Sequence, residues 1–361
     1  MSQKLNEFYY RKKVLITGHT GFKGAWLTKI LQNFGARVAG YSLEPNTNPN
    51  LFSVLGLADS MGQHTIGDIR QYNQKFNKVV EAYRPDIIFH LAAQPLVRDS
   101  YDNPLYTYET NVMGTAHVLE SIRQNRIKVG VIITTDKVYK NFERDIAYKE
   151  DDQLGGHDPY SNSKACADLV TNSYIKSFFD PAQFGKRHQS MIASARAGNV
   201  IGGGDWAKDR LVPDAIRAFL SDKKHLDIRS PRAIRPWQHV FEPLYGYLVL
   251  AKHLYEENKE AVGAWNFGPR DEDMQSVEHV LGLIINHLGG GKYIVKEDNS
   301  KHEAKNLKLD NAKAKRILGW KPKYNLKIAV AETCCWYEGY YENSAEGIHK
   351  LTDEQIAKYF E

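Results

Sequence analysis

The sequence has little of several features that mark specialised classes of protein. Only three cysteines occur among its 361 residues, Cys166, Cys334 and Cys335, and no spacing of cysteine or histidine is typical of a metal site. A disulfide framework is therefore excluded as the basis of the fold, and we expect buried or half-buried thiols and no bound metal.

Long apolar runs and blocks of like charge are also missing. No segment is long and apolar enough to span a bilayer, residues 1–13 are too polar for a secretory leader, and no repeat or low-complexity segment occurs. We therefore expect a cytoplasmic protein without a membrane partner. The net charge of +5 is spread among mixed acids and bases. This predicts mild attraction to phosphorylated small molecules and no nucleic-acid partner.

What the sequence does contain is a regular alternation of strand-like and helix-like segments. Strands are predicted at residues 14–17, 37–41, 87–90, 129–133 and 192–195, with helical stretches that include residues 74–83 and 107–124. This order predicts an α/β fold of the Rossmann type, a doubly wound parallel sheet covered on both faces.

The rhythm changes after residue 197, where loops punctuated by glycine and proline replace it. We expect a cofactor-binding domain over residues 1–197, with a returning segment near 235–270. Residues 198–361 would form mainly a smaller substrate-binding lobe, ending in a surface helix over residues 351–361.

A glycine-rich turn, Gly18-His19-Thr20-Gly21-Phe22-Lys23-Gly24, lies between the first predicted strand and a helix. Strand, turn and helix in this order predict a dinucleotide site. Gly18 would make the tight turn, Gly21 would let the backbone approach a pyrophosphate, and Gly24 would let the helix pack on the sheet. The pyrophosphate would lie at the helix N-terminus, where free N–H groups favour anions.

The acid that usually binds the adenosine ribose is absent from the end of the second strand. Ser42 occupies that position, Glu44 follows slightly later, and no arginine is there to take a 2′-phosphate, although Lys23 could. We therefore favour NAD over NADP. Asp68 follows a third predicted strand, where it could bind the adenine or simply cap a helix.

Tyr160 and Lys164 are the most informative pair in the chain. Their spacing of four residues places both side chains on one face of a helix. An ammonium beside a phenol would lower the tyrosine pKa from its ordinary value of about 10. Such a tyrosine can take a proton from a sugar hydroxyl while hydride leaves the same carbon.

The chain resembles the extended short-chain dehydrogenase/reductases in the order of its motifs. These are the glycine-rich turn, His90-Leu91-Ala92-Ala93, Thr134-Thr135-Asp136-Lys137 and Tyr160-x-x-x-Lys164. That family acts on nucleotide sugars, and the resemblance covers nearly the whole chain. The motifs are most similar to the 4,6-dehydratases of CDP-glucose. The residues that point to them include Arg196-Ala197-Gly198-Asn199 and Arg235-Pro236-Trp237-Gln238-His239.

The resemblance implies NAD as cofactor, a CDP-glucose-type nucleotide sugar as substrate and a homo-oligomer, in which helices such as residues 107–124 pair across a dimer. It assigns the cofactor cleft, besides Tyr160 and Lys164, to Gly18, Thr20, Gly21, Phe22, Lys23, Gly24, Asp68, Ile69, Leu91, Ala92, Ala93 and Asn111. It assigns substrate binding to Gln94, Asn199, Arg210, Arg235 and His239.

The resemblance also implies the catalytic roles. Tyr160 would take the 4-hydroxyl proton, Lys164 would lower its pKa, and Thr135 would hold the 4-oxygen. Asp136 would protonate the departing 6-hydroxyl. Lys137 stands where dTDP-glucose dehydratases carry a glutamate, and we expect it to remove the C5 proton, directly or through a water. A charged Lys137 that only polarises the keto oxygen or orients a water is the alternative.

Other interpretations stay open at this stage. Thr135 and Asp136 could cap the next element, and Trp206 and Trp237 could be core anchors or could pack on the base or sugar. A nucleotide-sugar 4-epimerase or reductase would use the same scaffold, although it needs no acid–base pair at C5 and C6. A catalytically silent NAD-binding sensor would have no need of Tyr160, Lys164 and Thr135.

Overall fold

The protein was analysed as a computed structural model, which describes residues 2–142, 147–220, 225–296, 307–342 and 344–360. Seven parallel strands form its central sheet, in the order β12-β7-β5-β4-β1-β2-β3. These strands are β1 (Lys13–Thr17), β2 (Arg37–Ser42), β3 (Gln63–Ile66), β4 (Ile87–His90), β5 (Val129–Ile133), β7 (Met191–Ala197) and β12 (Gly263–Phe267). The predicted parallel α/β sheet is confirmed.

The remaining strands are short and pair outside the central sheet. They are β6 (Ala147–Tyr148), β8 (Val200–Ile201), β9 (His225–Ile228), β10 (Ile234–Pro236), β11 (Gln238–His239), β13 (Met274–Ser276), β14 (Lys292–Val295) and β15 (Lys308–Leu309). They pair as β8 with β11, β9 with β14, β10 with β13 and β6 with β15.

The α-helices connect the strands and make up the C-terminal end of the described chain. They are α1 (Ser2–Tyr9), α2 (Phe22–Asn33), α3 (Leu51–Val54), α4 (Leu57–Ser60), α5 (Asn77–Tyr83), α6 (Val97–Asp102), α7 (Pro104–Tyr108), α8 (Gly114–Asn125), α9 (Pro159–Phe178), α10 (Leu211–Phe219), α11 (Phe241–Tyr255), α12 (Val277–Leu288), α13 (Leu326–Glu342) and α14 (Ala345–Phe360). One-turn π-helical segments precede α5 and α8, at Tyr72–Phe76 and Glu109–Met113.

Successive residues of each strand enter different cores, because side chains alternate across a sheet. Val14 and Ile16 of β1 pack on the face that carries α2 and α11, whereas Leu15 packs on the face that carries α5, α8 and α9. A sheet buried on both faces explains why its strands read as continuous apolar runs.

The five strands predicted by range are present and differ from the structure only at their ends, whereas β12 was not among them. The last helix begins at Ala345, before the predicted start at residue 351, and its residues Ile356, Tyr359 and Phe360 are at most 3% exposed. They pack against the core around Phe241, while the opposite face of α14 is exposed, as expected of an amphipathic surface helix. Glu361 lies outside the described residues.

The predicted returning segment, near residues 235–270, contains strand β12. This strand completes one edge of the central sheet beside β7. The domain boundary at residue 197 stays a prediction. Within the described residues, no helix has the length and apolar character needed to cross a membrane.

Candidate active site

One large cleft opens where the parallel strands end. Its volume is about 1620 Å³, and one wall follows the carboxyl ends of the strands. Residues of that wall are Gly18, Ser42, Gly67, Leu91, Thr134 and Gly198. The opposite wall comes from the second half of the chain, at residues 199–202, 204–214 and 226–230 and at Arg235 and Trp237. Ligands of open α/β sheets bind in this crevice.

The glycine-rich turn forms the floor of the cleft between β1 and α2. Gly18 has a φ of 76°, and a Cβ there would lie 2.6 Å from the backbone nitrogen of Ala92. A Cβ on Gly24 would lie 2.1 Å from the Gly18 oxygen, so this glycine lets the helix close onto the turn. Gly21 is the N-cap of α2 and supplies no side-chain cap. The first N–H groups of the helix are therefore left for an anion.

His19, inside the same turn, points away from the cleft. It is buried, and its Nε2 lies 2.7 Å from Nδ1 of His64. Burial, with a smaller effect of His64, lowers the pKa of His19 to about 3. The imidazole is neutral at physiological pH and belongs to the packing of the turn.

The ribose end of the turn is built from hydroxyl groups rather than an acid. Thr20 Oγ1 donates to the carbonyl of Leu43 at 2.8 Å and lies 2.8 Å from Ser42 Oγ. Glu44 is exposed and lines the cleft slightly farther out. A neutral wall here suits an unphosphorylated ribose better than a 2′-phosphate.

Asp68 and Ile69 continue this wall beyond β3. The Asp68 carboxylate accepts hydrogen bonds from the backbone nitrogen and guanidinium of Arg70. Burial opposes the charge, but these hydrogen bonds hold the pKa of Asp68 below its usual value. The next helical segment has Gln71 as N-cap, so Asp68 is not the helix cap. Asp68 lies in the cleft as a charged acceptor.

Leu91, Ala92 and Ala93 line the cleft as predicted, but Asn111 does not. Asn111 is 1% exposed, and its amide bonds both the nitrogen and the oxygen of the Gln94 backbone as well as Ser163. Asn111 lies behind the residues that line the cleft, and its hydrogen bonds fix the backbone that follows Ala93.

Gln94 also differs from its predicted role in substrate binding. Its side chain is 4% exposed and its amide bonds Leu96 and Thr107. Although Gln94 borders the cleft, its polar atoms hold the loop that leads to α6 and α7.

Tyr160 lies in the first turn of α9, where Asp158 caps the helix and Pro159 starts it. Tyr160 and Thr135 both line the cleft. Burial raises the tyrosine pKa to about 12, while the Thr135 hydroxyl and the Arg210 charge act to lower it. The structure therefore places Thr135 close enough to act on the phenol.

Lys164 lines the cleft together with Tyr160, as their spacing predicts. It is 4% exposed and its Nζ donates to the Ile133 carbonyl at 2.9 Å. Burial lowers its pKa to about 8, and Asp168 opposes this. The main groups that lower the pKa of Tyr160 are Thr135 and Arg210 rather than Lys164. The spacing predicts a shared helix face, but not the depth of each side chain.

Asp136 and Lys137 follow directly after Thr135. Asp136 is 1% exposed; its Oδ1 accepts from Thr135 at 3.0 Å, while its buried Oδ2 meets no donor in the part of the chain that the structure describes. Thr135 Oγ1 accepts from the Lys137 backbone nitrogen at 3.4 Å, so the capping interpretation also holds. Lys137 Nζ lies 3.5 Å from both Asp136 Oδ1 and Asn199 Oδ1.

Cationic side chains converge on this part of the cleft. Burial, together with the charges of Lys164 and Arg210, lowers the pKa of Lys23 to about 7, although Asp136 opposes this. Arg210 is half-buried and donates to Asp205 at 2.8 Å. The region attracts anions, which suits phosphate groups.

The second-lobe predictions have different outcomes. Arg235 lines the cleft from β10, and Asn199 lines it beside Lys137. His239 was predicted to bind substrate, but it is 1% exposed, does not line the cleft and packs between Phe241 and Tyr324. Burial lowers the pKa of His239 to about 3. It is a core residue.

Trp206 and Trp237 are core anchors whose edges reach the cleft. Both are at most 6% exposed; Trp206 packs on Trp336, and Trp237 donates to the Gln275 carbonyl.

A buried ionic network beneath Lys164 was missed at the sequence level. Asp168 accepts hydrogen bonds from Thr134, Ser194 and Arg196, and both members of the Arg196–Asp168 ion pair are at most 3% exposed. Asp168 follows Lys164 by four residues, as Lys164 follows Tyr160. That repeat on one helix face was the available clue.

Comparison with known proteins identifies the family. The family model described as GDP-mannose 4,6 dehydratase matches residues 15–333. The chain belongs to this family. Its membership agrees with the resemblance to the extended short-chain dehydrogenase/reductases.

Two curated relatives of the chain carry different enzyme names. The chain is 48% identical over 335 residues to a CDP-glucose 4,6-dehydratase of Salmonella typhimurium. The aligned region covers 92% of this chain and 92% of the relative. It is 32% identical over 198 residues to a CDP-paratose 2-epimerase of Salmonella typhi, covering 50% of this chain and 57% of the relative.

Solved structures share the fold. A dTDP-glucose 4,6-dehydratase from Streptomyces venezuelae with NAD bound superposes with a TM-score of 0.76 at 23% identity, covering 90% of this chain and 96% of the other. An epimerase from Methanothermobacter thermautotrophicus gives a TM-score of 0.80 at 22% identity, covering 97% and 98%.

Proposed function

We propose that this protein is an NAD-dependent hydro-lyase that converts CDP-glucose to CDP-4-keto-6-deoxyglucose and water. The observation that carries the proposal is the adjacency of a redox pair and an acid–base pair in one cleft. Tyr160, Lys164 and Thr135 line the cleft, the Thr135 hydroxyl acts on the Tyr160 pKa, and Asp136 and Lys137 follow Thr135 directly in the chain. The 48% identity to the Salmonella typhimurium CDP-glucose 4,6-dehydratase supports the choice of substrate.

The residues of the cleft fit NAD. The glycine-rich turn leaves space for a pyrophosphate at the N-terminus of α2, and the hydroxyl groups of Thr20 and Ser42 offer partners to an unphosphorylated ribose. Lys164 would hold the nicotinamide ribose. Bound NAD supplies reversible acceptance of hydride, so the reaction has no net redox change.

The first step falls to Tyr160 and Thr135. Tyr160 takes the proton of the 4-hydroxyl, and the neighbouring Thr135 hydroxyl holds the 4-oxygen. Because burial raises the Tyr160 pKa to about 12, proton removal needs the opposing positive charge of Arg210 and its neighbours.

Elimination falls to Asp136 and Lys137. Once C4 is a ketone, the C5 proton is acidic and water can leave across C5 and C6. Asp136 Oδ2 is buried without a donor among the described residues, which suits an oxygen that carries a proton for the departing 6-hydroxyl. Lys137 removes the C5 proton. Asn199 and Asp136 hold the lysine side chain near the sugar.

Arg210, Arg235 and Asn199 bind the nucleotide diphosphate. All three line the cleft opposite the glycine-rich turn. Guanidinium groups suit phosphate because they donate two parallel hydrogen bonds.

The molecule acts as a homodimer in this proposal. Large apolar side chains are exposed on the helices that flank the redox pair, namely Leu105 (78%), Met113 (51%), Leu169 (53%) and Phe178 (47%). A second copy of this chain could cover them by an isologous contact. The cytoplasmic location stays a prediction.

The test is a product assay with CDP-, dTDP-, UDP- and GDP-glucose and added NAD. The proposal expects loss of one water from CDP-glucose and transfer of a C4 hydrogen label to C6 of the product. A 4-epimerase would give no change of mass, and a sensor would give no product. Label found in free NADH or solvent would contradict the internal return of hydride.

A further inference from the structure

Three potential metal ligands lie together on the second-lobe surface, outside the cleft. His287 is in the last turn of α12, and Cys335 and Glu338 are three residues apart on one face of α13. Nε2 of His287, Sγ of Cys335 and a carboxylate oxygen of Glu338 all lie within 4.8 Å of one another. None of the three lines the cleft.

Two of the three separations are close to those of ligands around one tetrahedral ion, and the third lies within 4.8 Å. Sγ of Cys335 is 3.7 Å from Nε2 of His287, and Nε2 is 3.2 Å from Oε2 of Glu338. Zinc binds sulfur at about 2.3 Å and nitrogen or oxygen at about 2.0–2.1 Å, so tetrahedral ligands lie roughly 3.3–3.6 Å apart. The side chains need only small movements to bind an ion.

Charge and exposure also suit a cation. Cys335 is exposed, whereas His287 and Glu338 are half-buried, so an ion can enter from solvent. His287 precedes the C-terminus of α12, where the helix dipole favours positive charge. A Cys335 thiolate and the Glu338 carboxylate would balance a divalent ion, and the thiol proton would pass to solvent.

We propose that His287, Cys335 and Glu338 form a site for a divalent transition metal of the zinc type, completed by a water. Mixed nitrogen, sulfur and oxygen ligands select zinc, cobalt or nickel over magnesium or calcium. The bound ion ties the end of α12 to α13. The expectation of buried or half-buried thiols is wrong for Cys335, which is exposed. Its neighbour His287 lies 48 residues away, so no sequence spacing reveals the cluster.

Titration of the whole protein with Co²⁺ alone tests the proposal, because a thiolate ligand gives cobalt a charge-transfer band in the near ultraviolet. We expect one Co²⁺ per chain, the loss of the band in Cys335→Ser, and affinities at least ~10-fold weaker in His287→Gln and Glu338→Gln. Cys166→Ser removes a thiol far along the chain and should leave the band intact.

A second measurement follows the wild-type thiol directly. Zn²⁺ should slow the reaction of Cys335 with a thiol reagent, and Glu338→Gln should reduce this protection at the same Zn²⁺ concentration. The proposal is overturned if no cobalt–thiolate band forms, if the band survives in Cys335→Ser, or if Zn²⁺ leaves the rate unchanged.

Discussion

Lys137 lies in the cleft, two residues after Thr135 and directly after Asp136. Its Nζ is within 3.5 Å of Asp136 and Asn199, and its side chain is 31% exposed to the cleft and solvent. This position, beside the buried Asp136 carboxyl, is the reason to assign the C5 proton to Lys137.

We predict that Lys137→Met leaves the first hydride transfer largely intact but abolishes proton removal at C5. Bound NADH in a single turnover should form at nearly the wild-type rate. Exchange of the C5 hydrogen with heavy water should fall by ~10²–10⁴-fold, the usual contribution of a general base. If exchange persists at the wild-type rate, Lys137 only orients or polarises the substrate. Tyr160→Phe is the control that should block both signals.

Arg235 is predicted to bind rather than to react. It lies on β10, away from the Thr135–Tyr160 pair in the chain, where a diphosphate would dock. Arg235→Ala should raise KM by roughly 10- to 100-fold, the loss of a charged hydrogen bond, with kcat nearly unchanged. Arg232→Ala, an exposed arginine of the same loop that does not line the cleft, is the matched control. A fall in kcat at constant KM would instead place Arg235 in the transition state.

At the scale of elements, Glu242 joins the C-terminal segment to the core. This residue of α11 is fully buried and accepts hydrogen bonds from the backbone nitrogens of Lys323 and Tyr324, just before α13. Burial raises its pKa from 4.5 to about 7, although these hydrogen bonds oppose the shift. The ionised form is therefore the less stable one in the folded protein.

Glu242 makes stability depend on pH. Its folded pKa exceeds its unfolded pKa, so its contribution is fully present below pH 4.5 and is lost as the pH rises through about 7. The shift amounts to about 3 kcal/mol of unfolding free energy. Urea unfolding at several pH values should show Glu242→Gln with a flatter fall in stability from pH 5 to 8 than the wild type. Equal slopes in both proteins would refute this assignment.

The elements also explain what the sequence could and could not predict. Strands such as residues 87–90 were found because both faces of the sheet are buried there and their residues are apolar. β12, with the sequence Gly-Ala-Trp-Asn-Phe, was missed because it is not apolar throughout. The glycine-rich turn was found because its backbone geometry requires glycine. The misplaced side chains, His239 and Asn111, depend on how deeply tertiary packing buries a residue, which local spacing does not encode. Cys335 and His287 meet only through the packing of α12 on α13.

At the scale of the whole molecule, the two halves of the chain build the cleft together. The strand ends supply the cofactor turn and Thr135, whereas residues 199–202, 204–214 and 226–230, together with Arg235 and Trp237, supply the opposite wall. The net charge of +5 is modest. In the cleft, burial together with the charges of Lys164, Arg210 and Lys137 lowers the pKa of Lys23 to about 7, although Asp136 opposes this.

The assembly prediction belongs to this scale. Leu105 and Leu169, on α7 and α9, are 78% and 53% exposed, which costs free energy unless a second copy covers them. We predict that the double change Leu105→Glu and Leu169→Glu shifts the protein from dimer to monomer, because buried, unpaired carboxylates would oppose association. Sedimentation velocity across a range of concentrations measures the shift.

Ile294→Glu is the matched control for that experiment. Ile294 is also a large apolar residue, 48% exposed, but it lies on β14, in the second half of the chain and outside the helices that carry the apolar surface. This variant should keep the wild-type mass. A wild-type protein that is monomeric at every concentration, or a double variant that stays dimeric, would show that the exposed leucines do not form the subunit interface. Loss of the dimer in Ile294→Glu alone would move the interface to the second lobe.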